Sequence, residues 1–254
     1  DYNQVETPVS ELLASARIRC IREDRNGCLW FCTYGDTGLV SMKEDGTIRS
    51  YTVKDGFKSN SVREVYEMSD GTLVVSVVGG IYLLRDDELV EKIEQEDGLT
   101  NPLTLTECEI EPGKLLLGTD GNGLMLLEDG MLKPFPEAEE LSTEVILRIR
   151  KNEDQNSYWI VTSDSLYIMH DGQIREVSMN EAPNLHRYDV EFDNSGNVWL
   201  LAGDGIYVGN ADDILAGKSV RYIQYDYKNG LPFIATPHCR NYVSEDGVVY
   251  MSGN

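Results

Sequence analysis

One stretch, residues 26–39 (NGCLWFCTYGDTGL), returns in altered form along the whole chain, and that recurrence limits the fold more than any other feature. It reads as a turn, an apolar strand, a polar loop with glycines, and the start of another strand. Variants begin at Asp70 (DGTLVVSVVGGIYLL), Gly113 (GKLLLGTDGNGLMLL), Ser157 (SYWIVTSDSLYIM), Gly196 (GNVWLLAGDGIYV) and Asp246 (DGVVYMSGN). Val74, Leu116, Trp159, Trp199 and Tyr250 take the place of Trp30, which sets a period of about 42 residues. A fixed period in that range, with four short strands per unit, predicts an all-β chain folded as a β-propeller of four-stranded antiparallel blades.

The period divides the chain into units near 16–60, 61–102, 103–143, 144–186 and 187–238, followed by a partial unit at 239–254. About five complete blades and one incomplete blade are therefore expected. Residues 1–15 lack the pattern and read as an arm, a short helix or a closing strand. A propeller buries its sheet edges by closing its ring, so an incomplete last unit predicts either a fragment of a longer protein or an irregular closure. The Asp-Gly pairs at Asp45-Gly46, Asp70-Gly71, Asp129-Gly130, Asp171-Gly172 and Asp246-Gly247 fit the positive-φ positions of hairpin turns.

Composition removes several function classes. The chain carries 22 basic against 44 acidic residues, a net charge of −22, which disfavours nucleic acid and anionic membrane surfaces as partners. No apolar run is long enough to span a bilayer. The five cysteines, Cys20, Cys28, Cys32, Cys108 and Cys239, follow no framework spacing. Cys28 and Cys32 lie on one predicted strand, roughly 13 Å apart, too far for a disulfide. They are expected to be buried as small apolar side chains.

The first unit, IRCIREDRNGCLWFCTYGDTGLVSMKEDGTIRSYTVKDGF, resembles the two-component regulator propeller repeat, with a cysteine in place of the glycine after Phe31. The resemblance extends over about 16–254 and is closest in units one and five. It implies the extracytoplasmic sensor of a bacterial membrane-anchored signalling receptor, joined by a membrane helix to a histidine kinase, often of hybrid type, or to a diguanylate cyclase. On that reading the domain is periplasmic or cell-surface and is not itself an enzyme. It binds no cofactor or metal and meets the membrane only through segments outside this chain. Propellers of the family often have seven blades per ring, which makes this chain a candidate fragment of a seven-bladed ring.

Strand order in a propeller places the crossings between units and the loops between second and third strands on one face. That face is where ligands are expected, because loops on a rigid scaffold concentrate function. The candidate ligand-binding residues are Tyr34, Asp36, Lys58, Asn60, Asn101, Asn122, His186, Arg187, Phe233 and His238. Their mixture of amides, charges and aromatic rings suits a polyhydroxylated small molecule, with carbohydrate the candidate class. A homodimer is a further candidate partner. Trp30, Trp159 and Trp199 read as blade-packing residues. DRNGCLW and DNSGNVW read as Asp-box hairpins in which Asp24 and Asp193 bond to turn amides.

No catalytic residues stand out. The chain lacks a nucleophile elbow, a phosphate loop and a two-histidine zinc motif, and no segment supplies the oxygen ligands of a calcium loop. His170 sits in a hairpin turn. The competing enzyme class is the streptogramin lyases, propellers with similar repeats whose chemistry uses a histidine and a glutamate beside a metal. His186 and His238 would be the candidates for that role. A protein-binding scaffold is the third reading.

Overall fold

The computed structural model describes residues 6–178, 187–233, 235–236, 240–243 and 248–251. Five four-stranded antiparallel sheets follow one another, and in each the strands lie side by side in chain order. Blade 1 holds β1 (Arg17–Glu23), β2 (Leu29–Tyr34), β3 (Leu39–Met42) and β4 (Ile48–Tyr51). Blade 2 holds β5 (Val62–Glu67), β6 (Leu73–Val77), β7 (Gly80–Arg85) and β8 (Glu88–Ile93). Blade 3 holds β9 (Thr104–Glu111), β10 (Lys114–Thr119), β11 (Leu124–Glu128) and β12 (Met131–Pro134). Blade 4 holds β13 (Ile146–Asn152), β14 (Ser157–Thr162), β15 (Leu166–His170) and β16 (Gln173–Glu176). Blade 5 holds β17 (Arg187–Phe192), β18 (Asn197–Ala202), β19 (Gly205–Asn210) and β20 (Ile223–Tyr225). A two-stranded sheet of β21 (Tyr242–Val243) and β22 (Val249–Tyr250) comes after them. The all-β propeller-blade architecture read from the repeat is the one observed. By compactness the chain falls into two units, one containing blades 1 and 2 and the other blades 4 and 5, with blade 3 divided between them.

Burial explains why the second strands read as apolar runs. All six residues of β14 and all five of β6 are buried, because a blade's second strand is covered on both faces. Fourth strands are far more exposed: β8 alternates along most of its length and β20 is exposed throughout. In the first unit, Trp30, Cys32, Leu39 and Tyr51 of blade 1 pack with Phe57, Val65, Val75 and Tyr82. In the second, Trp159, Val161 and Ile168 of blade 4 pack with Val190, Val198 and Leu200 of blade 5.

Three local features were open or unread in the sequence. The N-terminal segment contains a helix, α1 (Pro8–Leu13), with Pro8 in its first turn and reciprocal hydrogen bonds between Thr7 and Ser10 at its cap. Its Val9 and Leu13 pack on Phe31 and Val40. A second short helix, α2 (Ala211–Leu215), occupies the long loop between β19 and β20 and is capped by the Asn210 side chain, which accepts from Asp213 N at 2.9 Å. Among the hairpin turns, Asp129-Gly130 and Asp171-Gly172 have positive φ at both residues, whereas at Asp45-Gly46 and Asp70-Gly71 only the glycine does. The β7–β8 turn uses Asp86 and Asp87, both at positive φ without any glycine. Asp246-Gly247 lies outside the described residues.

The two Asp boxes form as read. Asp24 Oδ1 accepts from Asn26 N and Cys28 N at 2.9 and 3.0 Å, and Oδ2 accepts from the Trp30 indole at 2.8 Å. Asp193 repeats this with Ser195 N, Asn197 N and the Trp199 indole, the last at 2.9 Å. Burial alone would raise the Asp193 carboxyl, but these donors outweigh it and hold the group below its ordinary value. The described cysteines, Cys20, Cys28, Cys32 and Cys108, are all buried and none is in a disulfide. Cys239 lies outside the described residues.

Candidate functional site

The Asp-Gly-Leu-type crossings are built by a repeated local device. Val53–Asp55, Gln95–Asp97 and Tyr227–Asn229 each form one 3₁₀ turn. In each, the third side chain reaches back to the backbone N–H that precedes the turn: Asp55 to Thr52 at 2.9 Å, Asp97 to Glu94 at 3.0 Å, Asn229 to Asp226 at 2.6 Å. A glycine then adopts φ near +100°, a conformation costly for other residues, and the next apolar residue turns inward. Phe57 and Leu99 are buried in this way. The Asp-Gly-Leu motif is therefore a chain-reversal signal that fixes the loops beside it.

Four of the ten candidate residues, Lys58, Asn60, Asn101 and Asn122, have structural partners in the loops. Lys58 Nζ pairs with Glu94 Oε2 at 3.0 Å, and Lys58 N donates to Tyr82 Oη at 2.7 Å. Tyr82 Oη in turn donates to Glu94 Oε1 at 2.7 Å. The hydrogen bonds from Tyr82 and Lys58 hold the Glu94 carboxyl below its ordinary value. Asn60 Oδ1 accepts from Val53 N, and Asn101 Oδ1 from Leu103 N, both at 2.9 Å. Asn122 N donates to Thr119 Oγ1 at 3.0 Å. Asp36 is exposed. His186 and His238 lie outside the described residues.

Arg187 and Phe233 belong to the second unit. Arg187 is 7% exposed, and desolvation lowers its pKa from the ordinary value. Phe233 lines a cleft of 590 Å³ on blade 5 together with Trp199, Ile206, Tyr225 and Met251. Trp199 and Tyr225 are stacked there, with ring centroids 5.9 Å apart and planes 7° from parallel. The three tryptophans share one register but not one environment. Trp30 and Trp159 are 2% and 0% exposed, whereas Trp199 is only half-buried, where Val249 of β22 and the nearby Met251 line the same cleft.

Tyr34 has the most distinctive surroundings of the described candidates. At the end of β2, its Oη accepts from Arg63 Nη1 at 2.9 Å, and the guanidinium of Arg19 lies 5.7 Å from the centroid of its ring. Both arginines occupy β-bulges. The β1–β2 register slips between Ile18 and Cys20, and the β5–β6 register slips between Val62 and Glu64, leaving Arg19 and Arg63 as the extra residues. The same slip recurs around Leu147 in β13 and Tyr188 in β17. Neither arginine was a sequence candidate. The signal available was an arginine at the same place in two successive first strands, RIRC and SVRE.

A second charged cluster, also unread, lies in the second unit. Asp189 is 1% exposed and receives Arg150 Nε at 2.9 Å, Arg150 Nη2 at 2.7 Å, Arg148 Nε at 3.3 Å and Asn241 Nδ2 at 3.1 Å. Desolvation pushes its pKa up, but the charges of Arg150 and Arg148 pull harder, and the net direction is down. Such a fully paired buried carboxylate is a structural tie. Among the described residues no group of three or more His, Cys, Asp or Glu side chains could hold a metal ion. None of their helices is long and apolar enough to cross a membrane.

Residues 12–35 match the family model described as two component regulator propeller. No curated protein matches the chain. Among solved structures, one described as the extracellular domain of a hybrid two component system, BT3049 from B. thetaiotaomicron, superposes with a TM-score of 0.75 at 20% identity, covering 92% of this chain and 32% of that one. Another extracellular domain, of the one component system BT4673 from B. thetaiotaomicron, gives a TM-score of 0.62 at 18% identity and covers 94% and 38%. Virginiamycin B lyase from Staphylococcus aureus gives 0.65 at 14% identity and covers 93% and 84%. The chain thus spans about a third of the BT3049 domain, and at these identities the likeness speaks for fold. The fold is thus that of a β-propeller, and within it residues 12–35 match the two component regulator propeller model.

Proposed function

We propose that this chain is the ligand-sensing, non-catalytic part of an extracytoplasmic receptor that is membrane-anchored through segments outside it and signals through a histidine kinase of hybrid type. The observation that carries the reading is the repeat match at residues 12–35. The similarity to extracellular domains of two-component type supports it. The ligand is a small molecule, with carbohydrate the leading class, held by loop side chains beside the blade crossings. A ligand can switch such a receptor only if it binds one arrangement of the domain better than another.

The likeness to virginiamycin B lyase supports a second reading, a metal-dependent propeller enzyme. One experiment separates the two. The purified chain is screened for thermal stabilisation by a panel of oligosaccharides, with divalent metals as a second arm, and is incubated with quinupristin, the compound present in one lyase structure. A ligand at a hundred times its dissociation constant adds about 2.7 kcal/mol of apparent stability. The expected result is stabilisation by a glycan without any metal requirement, and intact quinupristin. Metal stabilisation with quinupristin cleavage would overturn the sensor reading in favour of the enzyme.

A further inference from the structure

We infer that Cys20 and Cys32 are the site of a cross-strand disulfide, closed by an oxidant while blade 1 forms. Register brings them together: the two residues stand directly opposite one another in the β1–β2 ladder, just past the bulge. Directly opposed residues of antiparallel strands have Cα atoms about 4.5–5.5 Å apart, and a disulfide needs about 4.4–6.8 Å. Opposed side chains share one face of the sheet, and these two hydrogen-bond to each other. Both are buried in the same core cluster.

This pair sets blade 1 apart from blades 2, 4 and 5. At the same register, blade 2 places Glu64 opposite Ser76, blade 4 Arg148 opposite Val161, and blade 5 Asp189 opposite Leu201. There the first-strand residue is charged, and Glu64 and Asp189 are tied to an arginine of the preceding blade, Arg22 and Arg150. Blade 1 has a thiol at that position and a second thiol facing it. Closing the bond removes a long contact, Cys20 Sγ donating to Glu64 Oε1 at 3.6 Å, but the same oxygen keeps Arg22 Nη2 at 2.8 Å.

Burial and the Cys20 contact push the Cys32 thiol up, which makes it a poor nucleophile once the blade is packed. The bond therefore closes during folding, when the local β1–β2 hairpin has formed and Val65 and Val75 of blade 2 have yet to cover it. The chemistry is exchange with a small disulfide such as oxidised glutathione. One cysteine thiolate attacks it, forms a mixed disulfide and releases one small thiol. The other attacks the protein sulfur of that intermediate, closes the Sγ–Sγ bond and releases the second. Two cysteine thiols give up two protons and two electrons, which the small disulfide takes up in becoming two thiols. The geometry does not depend on the sensor reading, although an extracytoplasmic location supplies the conditions under which such bonds persist.

Refolding tests this. The full chain is reduced, unfolded in guanidinium and diluted into buffer containing reduced and oxidised glutathione. Thiols are then blocked, and the chain is digested with trypsin without reductant for mass spectrometry. Cleavage after Arg19, Arg22 and Arg25 puts Cys20 on one peptide and both Cys28 and Cys32 on another. The expected result is a link between these peptides that survives in Cys28→Ala and disappears in Cys32→Ser. The oxidised chain should melt about 5–10 °C above the reduced one, as a bridge closing a short loop predicts. Full blocking of every cysteine after refolding, or a link that instead requires Cys28, Cys108 or Cys239, would overturn the site. So would a bridged chain that melts below the reduced one, since the folded blade would then not accommodate the bond. The wild-type digest carries the test if a variant fails to fold, and none of these results bears on glycan binding.

Discussion

At the scale of single residues, the chain separates into side chains that hold the blades together and a few with bonding capacity to spare. Asp24 is of the first kind. Its carboxylate satisfies two turn amides and the indole of a buried tryptophan, so Asp24→Ala should cost about 2–3 kcal/mol, read as a lower denaturation midpoint at unchanged slope. Asp189 is held more tightly. Asp189→Asn leaves Arg148 and Arg150 without their counter-charge and should cost about 3–5 kcal/mol. The sign of its pH dependence is set by its lowered folded pKa. The stabilisation is fully present above the ordinary value of 3.8 and is lost as pH falls through the folded value, so acid unfolding should begin later in the wild type than in the variant. Asp24 could be read from DRNGCLW because all its partners lie within the next few residues. Arg63 and Asp189 could not, since Tyr34 and Arg150 reach them from a neighbouring blade and no local pattern records that contact.

At the scale of elements, the Gly-Leu pairs that open third strands have a steric cause. A Cβ on Gly38, at φ +67°, would lie 2.2 Å from the Tyr51 carbonyl oxygen, and one on Gly123 would lie 2.2 Å from that of Leu141. The Tyr51 oxygen ends β4, and the Leu141 oxygen belongs to the 3₁₀ segment Pro136–Leu141 and accepts from Glu144 N, so neither retreats freely, and Gly38→Ala should cost about 2–4 kcal/mol by thermal or chemical denaturation. The strands themselves were legible, because burial on both faces leaves an apolar run at each second strand. The α2 helix was not. Its five residues are too few for a helical period to stand out from a polar loop, and the Asn210 cap is its one local sign. The difference among the tryptophans was equally hidden, since it depends on which distant residues come to lie over blade 5. Acrylamide should quench one tryptophan of the three readily, and Trp199→Phe should abolish that accessible fraction.

At the scale of the whole molecule, charge dominates the surface. A net charge of −22 sets most of the exposed carboxylates against one another, while the surface ion pairs individually contribute little. Moderate salt should therefore raise the melting temperature by about 2–4 °C, the shift that about 1 kcal/mol produces in a chain of this size. A fall instead would show that the ion pairs outweigh the repulsion. The blade architecture was fully legible at this scale, because a repeat advertises itself many times over. The bonding of the candidate loops was not, since nothing in the sequence distinguishes the Lys58 that pins a crossing from a lysine free to meet a ligand.

The recurring bulge in the first strands of blades 1, 2, 4 and 5 separates what a strand must keep from what it can vary. The irregularity falls at the same register in each of these strands, so each of the four blades has one backbone position outside the regular pleat. The occupants, Arg19, Arg63, Leu147 and Tyr188, differ in charge and shape while the strands on either side keep their apolar pattern. One local backbone thus accepts a cation, an aliphatic chain or a phenol, and exchanging these four side chains among themselves should leave the strand pairing of each blade unchanged.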